Sequence, residues 1–281
     1  MKRNIYLLGV LAGLSFFASC SDDDNNNNNQ QQTVELYTSS NTSGKISVTN
    51  LSNGQVVSLG NADDINLDSD GIYYDPVSDQ IIQASRSRNK LNLYENIQDA
   101  IANNGTLLNV GNGISDIHFT NPREIAVTGN TIFVVQDQSA ANEMTNKIVV
   151  FTKNGNEFSK TKTYTIDFKL WGIHADGNNL YAVVDNTGNI ARFDNILSMP
   201  EGAIFPTKIV SIAGLTRTHG ITYSAESDVM VLTDIGDAAV DNDGGIVFID
   251  NWTEIFNNVT SGNGINMGLQ HRIYGPFNNV G

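Results

Sequence analysis

The sequence predicts an all-β fold, a β-propeller of four-stranded antiparallel blades, and three observations carry that expectation. A unit of short strands recurs, its period is about fifty residues, and the runs are rich in Val, Ile, Tyr and Thr without long helical stripes. The clearest copy is Trp171 to Asp194. It reads as a strand, the turn Asp176-Gly177-Asn178-Asn179, an apolar strand from Leu180 to Val184, the turn Asn186-Thr187-Gly188, and a third strand.

The same unit predicts first strands at Gly71–Tyr74, Glu124–Val127, Gly172–Ala175 and Gly220–Tyr223. Second strands follow at Ile81–Ser85, Ile132–Gln136, Leu180–Val184 and Val229–Thr233, and third strands at Lys90–Tyr94, Lys147–Phe151, Asn189–Phe193 and Gly245–Ile249. Outer strands are expected at Lys160–Ile166 and Thr207–Ile212. Such units stack radially, and radial repetition protects the strand edges.

The chain opens with a targeting segment over residues 1–20. Lys2 and Arg3 form a basic start, Ile5 to Phe17 is apolar, and small residues precede Cys20. Cys20 is the only cysteine, so no disulfide framework is expected. Phe17-Ala18-Ser19-Cys20 resembles the lipobox of bacterial lipoproteins, which implies lipidation at Cys20 and an anchor in the outer membrane of a bacterial cell envelope. The acidic run after it, Ser21 to Asp24, resembles the surface-export signal of Bacteroidota lipoproteins; a solvated tether is the plainer reading. Residues 21–32 are polar and low in complexity, which predicts a disordered linker.

The propeller is expected over residues 33–281, as about five blades or part-blades. Glu35–Ser40, Lys45–Thr49 and Gln55–Leu59 match second, third and fourth strands, so the first copy lacks its first strand. Arg272 to Gly275 reads as the end of a fourth strand. Propellers commonly close with a strand from the other terminus, so the expectation is a ring truncated at the C-terminus, with at least one further blade and a closing strand to follow.

A formal net charge of -14 predicts repulsion from phosphate backbones, so nucleic acid is not an expected partner. Anionic lipid is repelled for the same reason, which leaves an acyl anchor to hold the chain at a membrane.

Chemistry is expected where first strands begin and second strands end, because both meet at one mouth of the channel. The residues placed there are Asp70, Arg123, Trp171 and His219, with Arg86, Asp137, Asp185 and Asp234. Hairpin register pairs them as Asp70 with Arg86, Arg123 with Asp137, Trp171 with Asp185, and His219 with Asp234. The charged pairs read either as cross-strand ion pairs or as fixed charges offered to a small polar ligand. Trp171 reads as a stacking platform or as packing. A carboxylate beside His219 suits a general base or a metal ligand, which makes His219 and Asp234 the candidate catalytic pair. His174, without a partner in register, reads as a core histidine. Asp237, Asp241 and Asp243 offer hard oxygen donors to Ca2+ or Mg2+, but without EF-hand spacing. The sequence contains no HExxH, phosphate-binding glycine loop or nucleophile elbow.

Thr218-His219-Gly220-Ile221-Thr222, and Trp171-Gly172-Ile173 followed by Asp176 to Tyr181, resemble the repeat of NHL and streptogramin-lyase-like propellers. That resemblance implies a six- or seven-bladed ring and serves binding modules and enzymes alike. Related sugar-lactonases hold a divalent metal at the channel with acidic and Asn ligands, and Glu124 is the only acidic residue at its repeat position here. The lyases use a His near a metal, to which His219 corresponds. Three readings follow: a lipid-anchored binding module for a small polar ligand or a protein, a metal-assisted lactonase or lyase, and a structural subunit of a surface complex.

Overall fold

The computed structural model describes residues 34–61, 68–103, 105–107, 118–237, 239–240 and 242–275. Cys20, the expected targeting segment and tether, and Asp241 lie outside them. Within these residues the chain forms five antiparallel sheets arranged as the blades of a β-propeller.

The second to fifth blades begin with inner strands Ser69–Asp75, Pro122–Thr128, Leu170–Asp176 and Thr218–Ser224. Each pairs with a second strand, at Gln80–Ser85, Thr131–Gln136, Asn179–Val184 and Val229–Asp234. Third strands follow at Lys90–Glu95, Asn146–Asn154, Asn189–Phe193 and Gly245–Asp250. The outer strands Glu157–Ile166, Lys208–Ile212 and His271–Tyr274 complete the third, fourth and fifth blades.

In the second to fourth blades the second strands are buried without alternation because both of their faces are covered, whereas burial alternates along the second and third strands of the fifth blade. Phe133 and Val135 pack toward the fourth blade, whereas Ile132 and Val134 pack toward the second. In the fourth blade Leu180 and Ala182 face back, and Tyr181 and Val183 face the fifth blade's Trp252 and Phe256. A period-2 backbone between two apolar neighbours demands such runs.

The first blade consists of Glu35–Ser39, Ile46–Asn50 and Val56–Asn61. The Leu51 N–H donates to the Val34 carbonyl at 2.8 Å, as Lys153 does to Asn130 and Ile196 to Asn178 in later blades. That bond ties the end of a third strand to the start of a second. Glu35–Ser39 is therefore a second strand, and no described strand lies inside it.

The blades depart from a plain four-stranded plan in one respect. Between third and outer strands an Asn in the left-handed region, Asn96, Asn195 or Asn251, turns the chain into a short helical segment. The next residue, Ile97, Ile196 or Trp252, is fully buried. Two residues then pair in parallel with the outer strand of the preceding blade: Thr106–Leu107 with Gly60–Asn61, Gly202–Ala203 with Tyr164–Thr165, and Gly264–Ile265 with Ser211–Ile212. The second, fourth and fifth blades are thus laced to the blade before them. Lysines secure the lacing. Lys162 Nζ donates to the Leu197 and Met199 carbonyls at 2.5 and 2.8 Å, and Lys208 Nζ donates to those of Phe256 and Asn257.

Candidate functional site

Every inner strand of the second to fifth blades carries a bulge just after its first residue, between Ser69 and Ile72, Pro122 and Ile125, Leu170 and Ile173, and Thr218 and Ile221. A bulge bends the strand and re-aims its side chains. The bulged residues are Asp70, Arg123, Trp171 and His219. All four line one mouth of the channel, a cavity of about 700 Å³ shared with Arg217, Glu124 and Ile235. The opposite half of the channel, about 820 Å³, is walled by Ile, Val and Tyr side chains, with His174 among them.

Close approach between blades is built into the same bulges. A Cβ on Gly71 would stand 2.6 Å from the Ile125 nitrogen and 2.8 Å from the Glu124 Cα, and a Cβ on Gly172 would overlap the His219 carbonyl. Only a residue without a Cβ lets the next inner strand pass there.

The charged pairs form as expected and extend across blades. Arg86 Nε lies 3.5 Å from Asp70 Oδ2, and Arg86 Nη1 is 2.8 Å from Asp68 Oδ1. Arg123 Nε lies 3.1 Å from Asp137 Oδ2, and its Nη1 reaches Asp70 at 3.4 Å. Two hairpin pairs thereby become one row, Asp68, Arg86, Asp70, Arg123, Asp137. Burial pushes the Asp70 carboxyl up despite its two arginines.

The stack continues beyond the arginine. The Arg123 guanidinium sits 4.1 Å from the centre of the Trp171 ring, and the His219 imidazole stacks on the same indole at 4.0 Å and 15°. Both indole faces are therefore occupied by protein, so Trp171 is packing and not a free platform for a ligand.

His219 and Asp234 do not pair, which corrects the expected catalytic couple. Thr218, not His219, stands opposite Asp234 in the sheet. Asp234 instead accepts the backbone N–H groups of Thr216 at 3.0 Å and Arg217 at 2.7 Å. The reason is turn length. The hairpin turns of the second and fifth blades span four residues, 76–79 and 225–228, but those of the third and fourth span two, 129–130 and 177–178. The true equivalent of Arg86, Asp137 and Asp185 is Ile235, whose N–H bonds the Arg217 carbonyl as Asp185 bonds Lys169. His219 takes its carboxylate from the fourth blade, with Nε2 3.4 Å from Asp185 Oδ1. The expected pair of Trp171 with Asp185 gives way to this contact. Burial pushes the Asp185 carboxyl up, but His219, the Asn186 N–H and Lys169 outweigh it and hold it below the usual range.

Glu124 occupies the bulge position that is glycine in the other three blades and lines both halves of the channel. Burial pushes its carboxyl up to about 8, against the N–H of Ile125, which donates to Oε1 at 2.9 Å. His174 stands on the channel wall with its ring 6.3 Å from that of Tyr223, and burial lowers its pKa. It is a channel residue and not the core histidine expected.

The described residues offer no ready-made site for a divalent cation. No group of three His, Cys, Asp or Glu side chains among the described residues is spaced to hold one. Asp234 is engaged by backbone N–H groups, Asp243 accepts the Asp237 N–H at 2.8 Å, and Asp241 lies outside the described residues. Arg217 was not among the residues expected at the mouth. Its repeat position carries Asp68, Asn121 and Lys169 in the other blades, a polar residue each time, which was the available signal.

These features define the chain as a β-propeller with a polar channel mouth. No family model matches it, and no curated protein does. Among solved structures it is similar to a chain in a crystal structure of a nidogen/laminin complex, at 14% identity and a TM-score of 0.51, over 73% of this chain and 67% of that one. At that identity the likeness is one of fold.

Proposed function

We propose that this propeller is a binding module of the bacterial cell envelope that takes a small polar ligand at the charged mouth of its channel, and that a lipid on Cys20 anchors it. One observation carries the ligand site: Asp70, Arg123, Trp171 and Arg217, from four blades, border a single open cavity of about 700 Å³. Their geometry is set before any ligand arrives, because Arg123 is held by two carboxylates and an indole. A lactonase or lyase reading has less support. The imidazole and carboxylate assigned to proton transfer stand in separate networks, and the described residues offer no ready-made metal site.

Intrinsic fluorescence tests the site. The chain has two tryptophans, and Trp252 is fully buried in the blade core, so a mouth ligand is read through Trp171. Screening the mature chain against sugars, amino acids and small organic acids should give a saturable change that Arg123→Met weakens. A hit unaffected by Arg123→Met would move the site elsewhere. For the anchor, a palmitate analogue fed to the producing bacterium should label the wild type and not Cys20→Ala; equal labelling removes the anchor.

A further inference from the structure

The three arginines nearest the mouth are not in the same state. Arg86 and Arg123 each meet two carboxylates within 3.5 Å. Arg217 meets none among the described residues, and its Nε and Nη1, both shielded from solvent, donate to no protein acceptor. Its backbone is fixed at the mouth. The Arg217 N–H is held by Asp234 at 2.7 Å, and its carbonyl accepts the Ile235 N–H at 3.1 Å. A guanidinium with no carboxylate partner keeps its full charge, and Arg217 lines the cavity with it.

The cavity's own charges define what would complete it. Its lining carries Arg123, which Asp70 and Asp137 hold at 3.4 and 3.1 Å, and Arg217, which no carboxylate meets among the described residues. The Arg217 guanidinium is thus the unpaired positive charge of the lining, in a chain whose net charge is -14. A single negative charge balances it; a dianion would overshoot it and meet the field of Asp70 in the lining and of Asp137 and Asp185 behind it. The guanidinium donors that remain open to the cavity suit a carboxylate oxygen in a charge-assisted hydrogen bond. The first blade adds Thr38, Ser40 and Asn41 to the same wall, short hydroxyl and amide groups suited to the polar remainder of a ligand.

We propose that Arg217 is the charge-recognising residue of the mouth and that the ligand it selects is a small monocarboxylate. This rests on the reading of the mouth as a binding site and names the ligand class for it.

The test uses the full mature chain labelled with nitrogen-15, following the arginine Nε–Hε signals, with that of Arg217 assigned by its loss in Arg217→Gln. Acetate is the probe, acetamide its neutral isostere and inorganic phosphate the dianion. The expected result is a saturable shift of the Arg217 signal by acetate, with a midpoint in the millimolar range that one charged contact reaches, about 1–10 mM. Acetamide should leave it unmoved, and phosphate should bind more weakly than acetate. Arg217→Gln should lose acetate binding by about tenfold or more in calorimetry, and Arg217→Lys should recover part of it, with unchanged circular dichroism in both. An equal response to acetamide, tighter binding of phosphate, or no saturable shift through about 50 mM acetate overturns the inference. Neutral glucose, ribose and inositol, read by Trp171 fluorescence, separate the two levels. If one of them binds while Arg217 stays silent to acetate, the carboxylate assignment falls and the mouth site stands; if none binds and Arg217 is silent, both fall.

Discussion

His219 lies 3.4 Å from Asp185 of the neighbouring blade and leaves Asp234, its expected partner, to the backbone of residues 216 and 217. The contact ties the fourth blade to the fifth at the mouth, as Arg123 and Asp70 tie the third to the second. Both members are almost fully buried, with side chains 8% and 6% exposed. Double-mutant cycles in urea should therefore couple His219→Ala with Asp185→Asn by about 0.5–1.5 kcal/mol. Coupling of His219→Ala with Asp234→Asn should be smaller. The reverse order would restore the His219–Asp234 pair.

Glu124 makes stability depend on pH in a definite direction. Its carboxyl holds a proton up to about 8 in the folded chain, whereas an unfolded glutamate releases it near 4.3. Between those values the unfolded state binds fewer protons, so stability falls as pH rises, by at most about 1.4 kcal/mol per unit, and levels off above about 8. Glu124→Gln removes that slope. Urea midpoints at pH 5, 6, 7 and 8 should show the variant gaining steadily on the wild type; parallel curves would mean the carboxyl is ionised in the channel.

His174 acts on the acid side. Burial lowers its pKa in the folded chain, so below the ordinary value of about 6.5 the unfolded state binds the extra proton and stability drops. His174→Gln should flatten the loss between about pH 6.5 and 5 and change little at pH 8. An unchanged acid limb in thermal melts would count against a buried neutral imidazole.

Gly172 tests the close approach of the blades. Its alanine variant needs no unusual dihedral, yet the added methyl overlaps the His219 carbonyl. We expect a loss of about 1–3 kcal/mol, the usual cost of overpacking. Gly129→Ala, in an open turn at φ 53° with nothing near its Cβ, should cost only about 1 kcal/mol, through backbone strain. Equal losses would show that the inner strands stand further apart.

The lysines of the lacing differ from surface lysines. Lys162→Met and Lys208→Met each strand carbonyls at the end of a short helical segment and should cost about 1–2 kcal/mol, additively, since they serve different blades. Lys160→Met breaks an exposed pair with Glu201 and should stay within about 0.5 kcal/mol. Comparable losses at all three would remove the capping role.

Strand positions were legible because local chemistry carries them. Asn and Gly mark the turns, and a strand between two apolar blades must be apolar on both faces, so Thr131–Gln136 and Asn179–Val184 stand out without reference to any neighbour. The missing inner strand of the first blade was legible from the same repeat. The lacing was not, because a two-residue parallel pairing such as Gly264–Ile265 leaves no periodic signature.

The site was half legible. The repeat alone says which residues gather at one mouth and that Asp70, Arg86, Arg123 and Asp137 pair there. The partners between blades come from three-dimensional packing: His219 with Asp185, Arg123 and His219 on the two faces of Trp171, the Glu124 carboxyl pushed up by burial, and Arg217 without a carboxylate partner among the described residues. The physical reason is one of distance along the chain. Turn chemistry and apolar runs act within a hairpin, while the angle between adjacent blades, set by packing of cores some fifty residues apart in a propeller repeat, places the charges that meet across the channel.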